Sequence, residues 1–164
     1  MAAVMAGAAW LHVQAAIAAP AVGKAAPAFV GQDLDGRPLD LAALHGHVVI
    51  VNLWATWCTP CRAEMPMLDA FYKAHRAEGL VLVGLSADRH RDLGDMRKVM
   101  QAFSYRAAML ADAKSNGFGS PGALPLTYVI DARGEVHAIF DNHAGPLTQS
   151  DLEKAIAGLA EQPS

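Results

Sequence analysis

The chain has 164 residues, 13 Lys and Arg against 16 Asp and Glu, a formal charge of −3, and is 53% hydrophobic and 18% charged. That length suits one domain around one core, and that composition buries enough apolar surface to argue against a disordered chain. No basic cluster is present to neutralise a run of phosphates, so nucleic acid is not an expected partner.

Residues 1–19 (MAAVMAGAAWLHVQAAIAA) hold no charged side chain and only His12 and Gln14 as strongly polar ones. The stretch is long enough for the apolar region of a secretory signal or a marginal membrane span, and Ala16, Ile17 and Ala18 offer a small-x-small cleavage pattern. The expected organisation is a signal peptide or N-terminal membrane anchor over residues 1–21 and one domain over residues 22–162. No Lys or Arg precedes the apolar run, so the positive n-region of a signal is missing. An Ala-rich arm, disordered or packed on the core, is the alternative.

Residues 19–27, with Pro20 and Pro27, form a small-residue linker. Residues 29–32 and 37–39 flank Asp33, Leu34, Asp35 and Gly36, whose Asp-Gly pair predicts the turn of a small hairpin. Residues 47–53 (HVVIVNL) are a nearly continuous β-branched and apolar run, the pattern of a central strand covered on both faces. From Pro60 to about Ala77, Met65, Leu68 and Tyr72, with Met67 and Phe71 beside them, recur at helical spacing, and Pro66 should kink that helix. Residues 80–85 (LVLVGL) predict a second buried strand. Leu93, Met96, Val99, Met100 and Phe103 mark a second amphipathic helix, and a short strand is expected at 107–110. This alternation predicts βαβ units and a parallel sheet. Residues 126–130 and 135–140 predict an antiparallel hairpin across Asp131, Ala132, Arg133 and Gly134. A last helix over 148–159 would be capped by Thr148 or Ser150 and turn Leu152, Ile156 and Leu159 toward the sheet.

Both cysteines of the chain lie in the stretch WATWCTPCRAEMP, residues 54–66. On this map Cys58 follows a buried strand at the mouth of a helix, and Cys61 lies one turn further in. Free backbone N–H groups and the positive end of the helix dipole stabilise a thiolate there, so Cys58 is the expected nucleophile. Residues i and i+3 of a helical turn have Cα atoms roughly 5 to 5.5 Å apart, inside the ~4.4 to 6.8 Å that a disulfide needs. Pro60 suits the first turn, where its missing N–H costs nothing, and Thr59 is the spacer that tunes potential. So small a ring removes little entropy from the unfolded chain, which makes a structural staple the poorer explanation. Cys-x-x-Cys is also half of a zinc site, with His45 and His47 as candidate completing ligands, and an exported dithiol can hold copper transiently. Against zinc, His47 begins a strand that ends several residues before Cys58.

Residues 51–66 resemble the active-site segment of the extracytoplasmic TlpA/ResA-like thiol-disulfide oxidoreductases, a branch of the thioredoxin superfamily. The resemblance extends to Gly23, Lys24, Pro27 and Phe29, to Asp35 and Gly36 ahead of residues 39–44, and to residues 122–131 (GALPLTYVID). It implies an α/β, thioredoxin-like fold: a central mixed β-sheet flanked by helices, with an N-terminal β-hairpin extension. It implies further that Pro125 is cis and lies against the disulfide, and that the backbone of Leu124 pairs with an extended substrate segment. A trans proline at a strand start is the plain alternative. The family often reads Pro-Thr-Thr where this chain has Pro125, Leu126 and Thr127. Glu64 matches an acid that would influence the thiols, by shuttling a proton from Cys61 or by raising the thiol pKa values; otherwise it is a solvated helix carboxylate. Asn52 stands where thioredoxin itself has a buried acid. Trp54 and Trp57 are expected around the active-site turn, Trp57 at its rim, where substrate would meet it together with Thr59 and Pro60; aromatic core filling is the alternative.

The mechanism this implies is dithiol exchange. Cys58 attacks a substrate disulfide and Cys61 resolves the mixed disulfide, leaving a redox-active Cys58–Cys61 bond. The resemblance favours the reducing direction, no cofactor, a periplasmic or extracytoplasmic location with tethering to the inner membrane open through residues 1–19, and a monomeric soluble domain. Its clients would be exported cysteine proteins such as apocytochrome c, and its electron donor a membrane thiol carrier. Three rivals remain: a copper-binding dithiol metallochaperone, a thiol peroxidase, and a catalytically quiet interaction domain. The peroxidase pattern Thr-x-x-Cys is absent, since Thr56 is only two residues before Cys58. Residues 117–122 spell Gly-x-Gly-x-x-Gly, yet the stretch runs toward a strand rather than a helix and is read as a loop.

Overall fold

The computed structural model describes residues 20–141, 143 and 145–159; the leader expected at the N-terminus therefore lies, through residue 19, outside the described residues. The strands are β1 (Phe29–Gln32), β2 (Pro38–Asp40), β3 (Val49–Trp54), β4 (Val81–Ser86), β5 (Arg106–Met109), β6 (Ser115–Asn116), β7 (Leu126–Ile130) and β8 (Val136–Asp141), and the helices are α1 (Thr59–His75), α2 (Leu93–Met100) and α3 (Gln149–Ile156). A five-stranded sheet runs β5-β4-β3-β7-β8 and a three-stranded sheet runs β2-β1-β6.

β3 is buried at every position, which is why its sequence reads as unbroken apolar residues rather than as an alternation. It pairs parallel with β4 and antiparallel with β7. The step from β3 to β4 to β5 proceeds in one direction across the sheet, and right-handed crossovers then place both connecting helices on one face. The packing agrees: Ile50 and Trp54 share a core with Met65, Leu68 and Phe71 of α1, Met96 and Met100 of α2, and Leu152 of α3. Val49, Val51 and Leu53, alternating with them along β3, pack on the other face against Phe29, Leu39 and Phe118. The expected hairpin thus forms and covers the face that the helices leave open.

Several boundaries moved for local reasons. Helix α1 continues through Pro66, whose ring lies on the exposed side. Helix α2 stops at Met100 rather than near Phe103, because Ala102 and Phe103 turn back with three-residue bonds to the carbonyls of Val99 and Met100. Thr148, not Ser150, caps α3: its hydroxyl oxygen accepts from Asp151 N–H while the Asp151 carboxylate accepts from Thr148 N–H. β6 has no signal in the sequence, being two polar residues that pair with Phe29 and Val30. The linker is also tied down, since Ala26 N–H donates to the Gly134 carbonyl and Val136 N–H to that of Lys24.

Asp69 joins α1 to the lead-in of β5. Its carboxylate accepts from the backbone N–H and the hydroxyl of Ser104, both at 2.7 Å, and pairs with Lys73 at 2.6 Å. Burial pushes this carboxyl up, but the bonds from Lys73 and Ser104 outweigh burial and hold it below the ordinary 3.8. The folded protein therefore binds fewer protons here than the unfolded chain, and the contribution is full above the ordinary value and lost as pH falls below it. Asp69→Asn should lower stability at pH 7 by about 1–3 kcal/mol. Urea midpoints measured from neutral pH down through about pH 3 should also fall less steeply for the variant than for the wild type.

Candidate active site

At the end of β3 the chain makes four bonds that aim Cys58. Ala87 N–H donates to the Trp54 carbonyl, extending the β3–β4 pairing, and Cys58 N–H donates to the Ala55 carbonyl. Cys58 is then the N-cap of α1: its Sγ accepts from Cys61 N–H at 3.3 Å, and its carbonyl accepts from Arg62 N–H at 3.1 Å. Pro60 occupies the first turn, where a free N–H would have no partner, and the first turn holds no acidic side chain to oppose a thiolate. Cys58 and Cys61 are joined by a disulfide with Cα atoms 5.3 Å apart. Cys58 is 5% exposed and Cys61 1%, so Cys58 is the more accessible residue of the pair.

The other expected residues fall at different depths. Thr59 and Pro60 are exposed. Trp57 is 69% exposed, whereas Trp54 is fully buried on the helix-covered face. Close packing there requires Gly84, because a Cβ on it would lie 3.0 Å from Trp54 Nε1 and 3.1 Å from the Tyr105 ring. The Leu124–Pro125 bond is cis. Pro125 is buried immediately before β7, whose Leu126 pairs with Leu53 near the end of β3. Leu124 packs against the cluster that contains both cysteines. Beneath the turn, Asn52 donates from Nδ2 to Thr127 Oγ1 across the β3–β7 pair.

Glu64 is not the solvated carboxylate of the alternative reading. It is 7% exposed and shares the buried side of α1 with Cys61, Met65 and Leu68. Its Oε1 accepts from Leu147 N–H at 3.1 Å, and its Oε2 is buried without a hydrogen-bond partner among the described residues. Burial pushes its pKa up, with partial opposition from the Leu147 N–H.

The histidines weighed as zinc ligands lie at the wrong end of β3. His47 precedes the strand and its Nδ1 lies 3.0 Å from the Gly79 carbonyl, while the His45 ring packs over Gly134. The six residues of β3 put roughly 20 Å between that end and Cys58. Residues 117–122 form the loop between β6 and β7. Gly117 there donates to the Ala28 carbonyl, and a Cβ on it would meet the Ala28 nitrogen at 2.8 Å, so the glycine serves backbone packing.

Sequence reasoning missed Asp88. Two residues past β4, and 2% exposed, its carboxylate accepts from Thr56 N–H at 2.9 Å, Thr56 Oγ1 at 2.8 Å and Ser86 Oγ at 2.6 Å. The signal was present as Ser86 and Asp88 ending an otherwise apolar run.

The AhpC/TSA family matches residues 22–139. The thiol-disulfide oxidoreductase ResA of Bacillus thuringiensis (strain Al Hakam) is 34% identical over 133 residues, covering 80% of this chain and 75% of that one. A thiol:disulfide interchange protein of the thioredoxin family from Chlorobium tepidum TLS superposes with a TM-score of 0.69 at 29% identity, over 87% of this chain and 99% of that one. A secreted disulfide oxidoreductase from Mycobacterium tuberculosis, homologous to Escherichia coli DsbE, gives a TM-score of 0.65 at 25% identity, over 80% of this chain and 96% of that one.

Burial of Glu64 has a measurable sign. With its pKa raised in the folded state, the charged form is disfavoured there and the native protein binds the proton more tightly than the unfolded chain. Glu64→Gln should therefore melt roughly 2–4 °C higher at pH 8. The gain should vanish as pH falls below the ordinary glutamate value of 4.5.

Proposed function

Because the chain belongs to the AhpC/TSA family and, within it, to the ResA-like thiol-disulfide oxidoreductases of the thioredoxin superfamily, we propose that Cys58 and Cys61 are its redox pair and reduce disulfides in exported proteins. The single observation that carries this reading is the Cys58–Cys61 disulfide closed across the first turn of α1, with Cys58 as the helix cap.

In the forward reaction the Cys58 thiolate attacks one sulfur of a substrate disulfide. A Cys58–substrate bond forms, the substrate S–S bond breaks, and the departing sulfur leaves as a thiolate that takes up a proton. Cys61 then gives up its proton and attacks the Cys58 sulfur, releasing the second substrate sulfur as a thiol and leaving the 58–61 bond. Two electrons pass to the substrate, and an external dithiol must return them. In this scheme Glu64 accepts the Cys61 proton: a helix places side chains three residues apart roughly 5–6 Å from each other, and burial raises the Glu64 pKa above its ordinary value, which makes the carboxylate a better proton acceptor.

Trp57, Thr59, Pro60, Leu124 and Pro125 form the substrate surface in this reading. Support comes from the exposure of Trp57, the packing of Leu124 against the cysteine cluster and the position of Pro125 ahead of β7. The clients are exported cysteine proteins such as apocytochrome c, and the donor is a membrane thiol carrier. An extracytoplasmic location is supported by the composition of residues 1–19 and by likeness to a secreted oxidoreductase, and residues 1–19 serve either as a cleaved signal peptide or as a membrane tether. We read residues 22–162 as a monomeric soluble domain.

The test is a mechanism-based trap. Cys61→Ala should accumulate mixed disulfides with clients in the export compartment, Cys58→Ala should accumulate none, and each variant should lose insulin reduction at least about a hundredfold. Absence of adducts together with stoichiometric, tight copper(I) binding by the reduced wild type would replace this reading with metal handling. Within the same series, Glu64→Gln should alter the pH profile of mixed-disulfide resolution, and an unchanged profile removes Glu64 from the mechanism.

A further inference from the structure

We infer that Asp88 is the positioning residue of the redox turn, holding Thr56 so that Cys58 enters α1 with its sulfur on the Cys61 N–H; this rests on the reading of Cys58 and Cys61 as the redox pair. Between the end of β3 and the start of α1 lie only residues 55–58, and they change direction from strand to helix. The first and last steps of that passage are held by main-chain bonds, Ala87 N–H to the Trp54 carbonyl and Cys58 N–H to the Ala55 carbonyl. The middle is held by a side chain. Thr56 presents both its N–H and its hydroxyl to the two oxygens of Asp88. Asp88 is itself fixed to β4 by the Ser86 hydroxyl at 2.6 Å and by its own N–H donating to Ser86 Oγ at 3.0 Å.

Three donors converge on one carboxylate that is 2% exposed. A carboxylate is acceptor-only and can serve all three at once. Losing it leaves the part-buried Thr56 N–H without its partner, so the turn would have to shift to recover one. Displacements of about 1 Å at a reacting centre can cost on the order of a hundredfold in rate. Thr56 therefore serves the site through its bonds to Asp88, and its hydroxyl hydrogen is already committed there.

An asparagine can reproduce this arrangement. Its oxygen in the place of Oδ2 accepts from Thr56 N–H and Ser86 Oγ, and its amide nitrogen in the place of Oδ1 donates to Thr56 Oγ1, since a hydroxyl can reverse its role. Position is thereby separable from charge. The experiment compares wild type, Asp88→Ala, Asp88→Asn and Thr56→Val, each checked by thermal melting. Two readouts are used: thiol exchange with dithiothreitol, followed by the tryptophan fluorescence change, and kcat and KM for insulin reduction. Asp88→Ala should slow exchange and lower kcat by about tenfold or more, while Asp88→Asn should stay within roughly threefold of wild type. Thr56→Val keeps the main-chain bond and loses the hydroxyl one, so it should fall between them; it also carries the test if the alanine variant does not fold.

Exchange in folded Asp88→Ala and Thr56→Val at the wild-type rate overturns the inference. So does an asparagine variant as slow as the alanine one, which would assign the effect to charge. Exchange with dithiothreitol needs no protein client, so this test is decided separately from the reductase reading. Wild type that exchanges with dithiothreitol but leaves insulin oxidised would sink that reading alone.

Discussion

A helix separated by only four residues from a buried strand is the constraint on which the site depends. Strand β3 ends at the fully buried Trp54, and α1 begins at Thr59. The N–H groups of a helical first turn have no partners within the helix, and Cys58 Sγ takes one of them, from Cys61. The same bond places the sulfur at the positive end of the helix dipole, where its anionic form is favoured. It also sets the second cysteine one turn away at a Cα separation of 5.3 Å, within the range a disulfide spans. The placement of Cys58 at the helix end, a setting that favours a thiolate, and intramolecular closure thus follow from one junction, and the remaining architecture keeps that junction in place.

What surrounds the junction is mostly apolar, so each buried polar group near it has weight. Asn52 supplies a neutral amide in β3 and meets Thr127 across the sheet. The ionisable groups stand elsewhere, Glu64 on α1 and Asp88 after β4, and their environments differ. Among the described residues Glu64 has one hydrogen bond and one oxygen without a partner, a setting that favours protonation. Asp88 accepts three hydrogen bonds from Thr56 and Ser86, a setting that suits an acceptor held in place. Two carboxylates near one redox pair therefore stand in different settings, one raised in pKa by burial and the other tied by hydrogen bonds to the turn.

The hairpin β1–β2 with β6 has a supporting part. The large sheet carries its three helices on the face of Ile50 and Trp54, and the opposite face of Val49, Val51 and Leu53 would otherwise remain uncovered. Phe29 and Leu39 close it, and the loop that follows β6 leads on to Leu124 and Pro125. Covering that face and delivering the cis-proline segment beside the end of β3 are consequences of the same connection.

Much of this was legible in the order of residues. Periodicity alone marks the buried strands and the amphipathic helices, because burial on both faces demands unbroken apolar runs and burial on one helical face demands a 3.6-residue repeat. The spacing of Cys58 and Cys61, with Pro60 between them, is a local property of one helical turn, so the pair and its geometry could be read without a fold. Partners distant in the chain could not. Glu64 gains its bond from Leu147 N–H only when that residue, 83 positions further on, arrives beside it. His45 and His47 cease to be metal candidates only when β3 is seen to hold them at its far end. Asp88 meets Thr56 only because parallel pairing of β3 and β4 brings their C-terminal ends together. Sequence by itself determined the elements and the reactive pair, which depend on near neighbours; tertiary structure decided which carboxylates lose their water and what they hold, because burial is created by segments that meet only after folding.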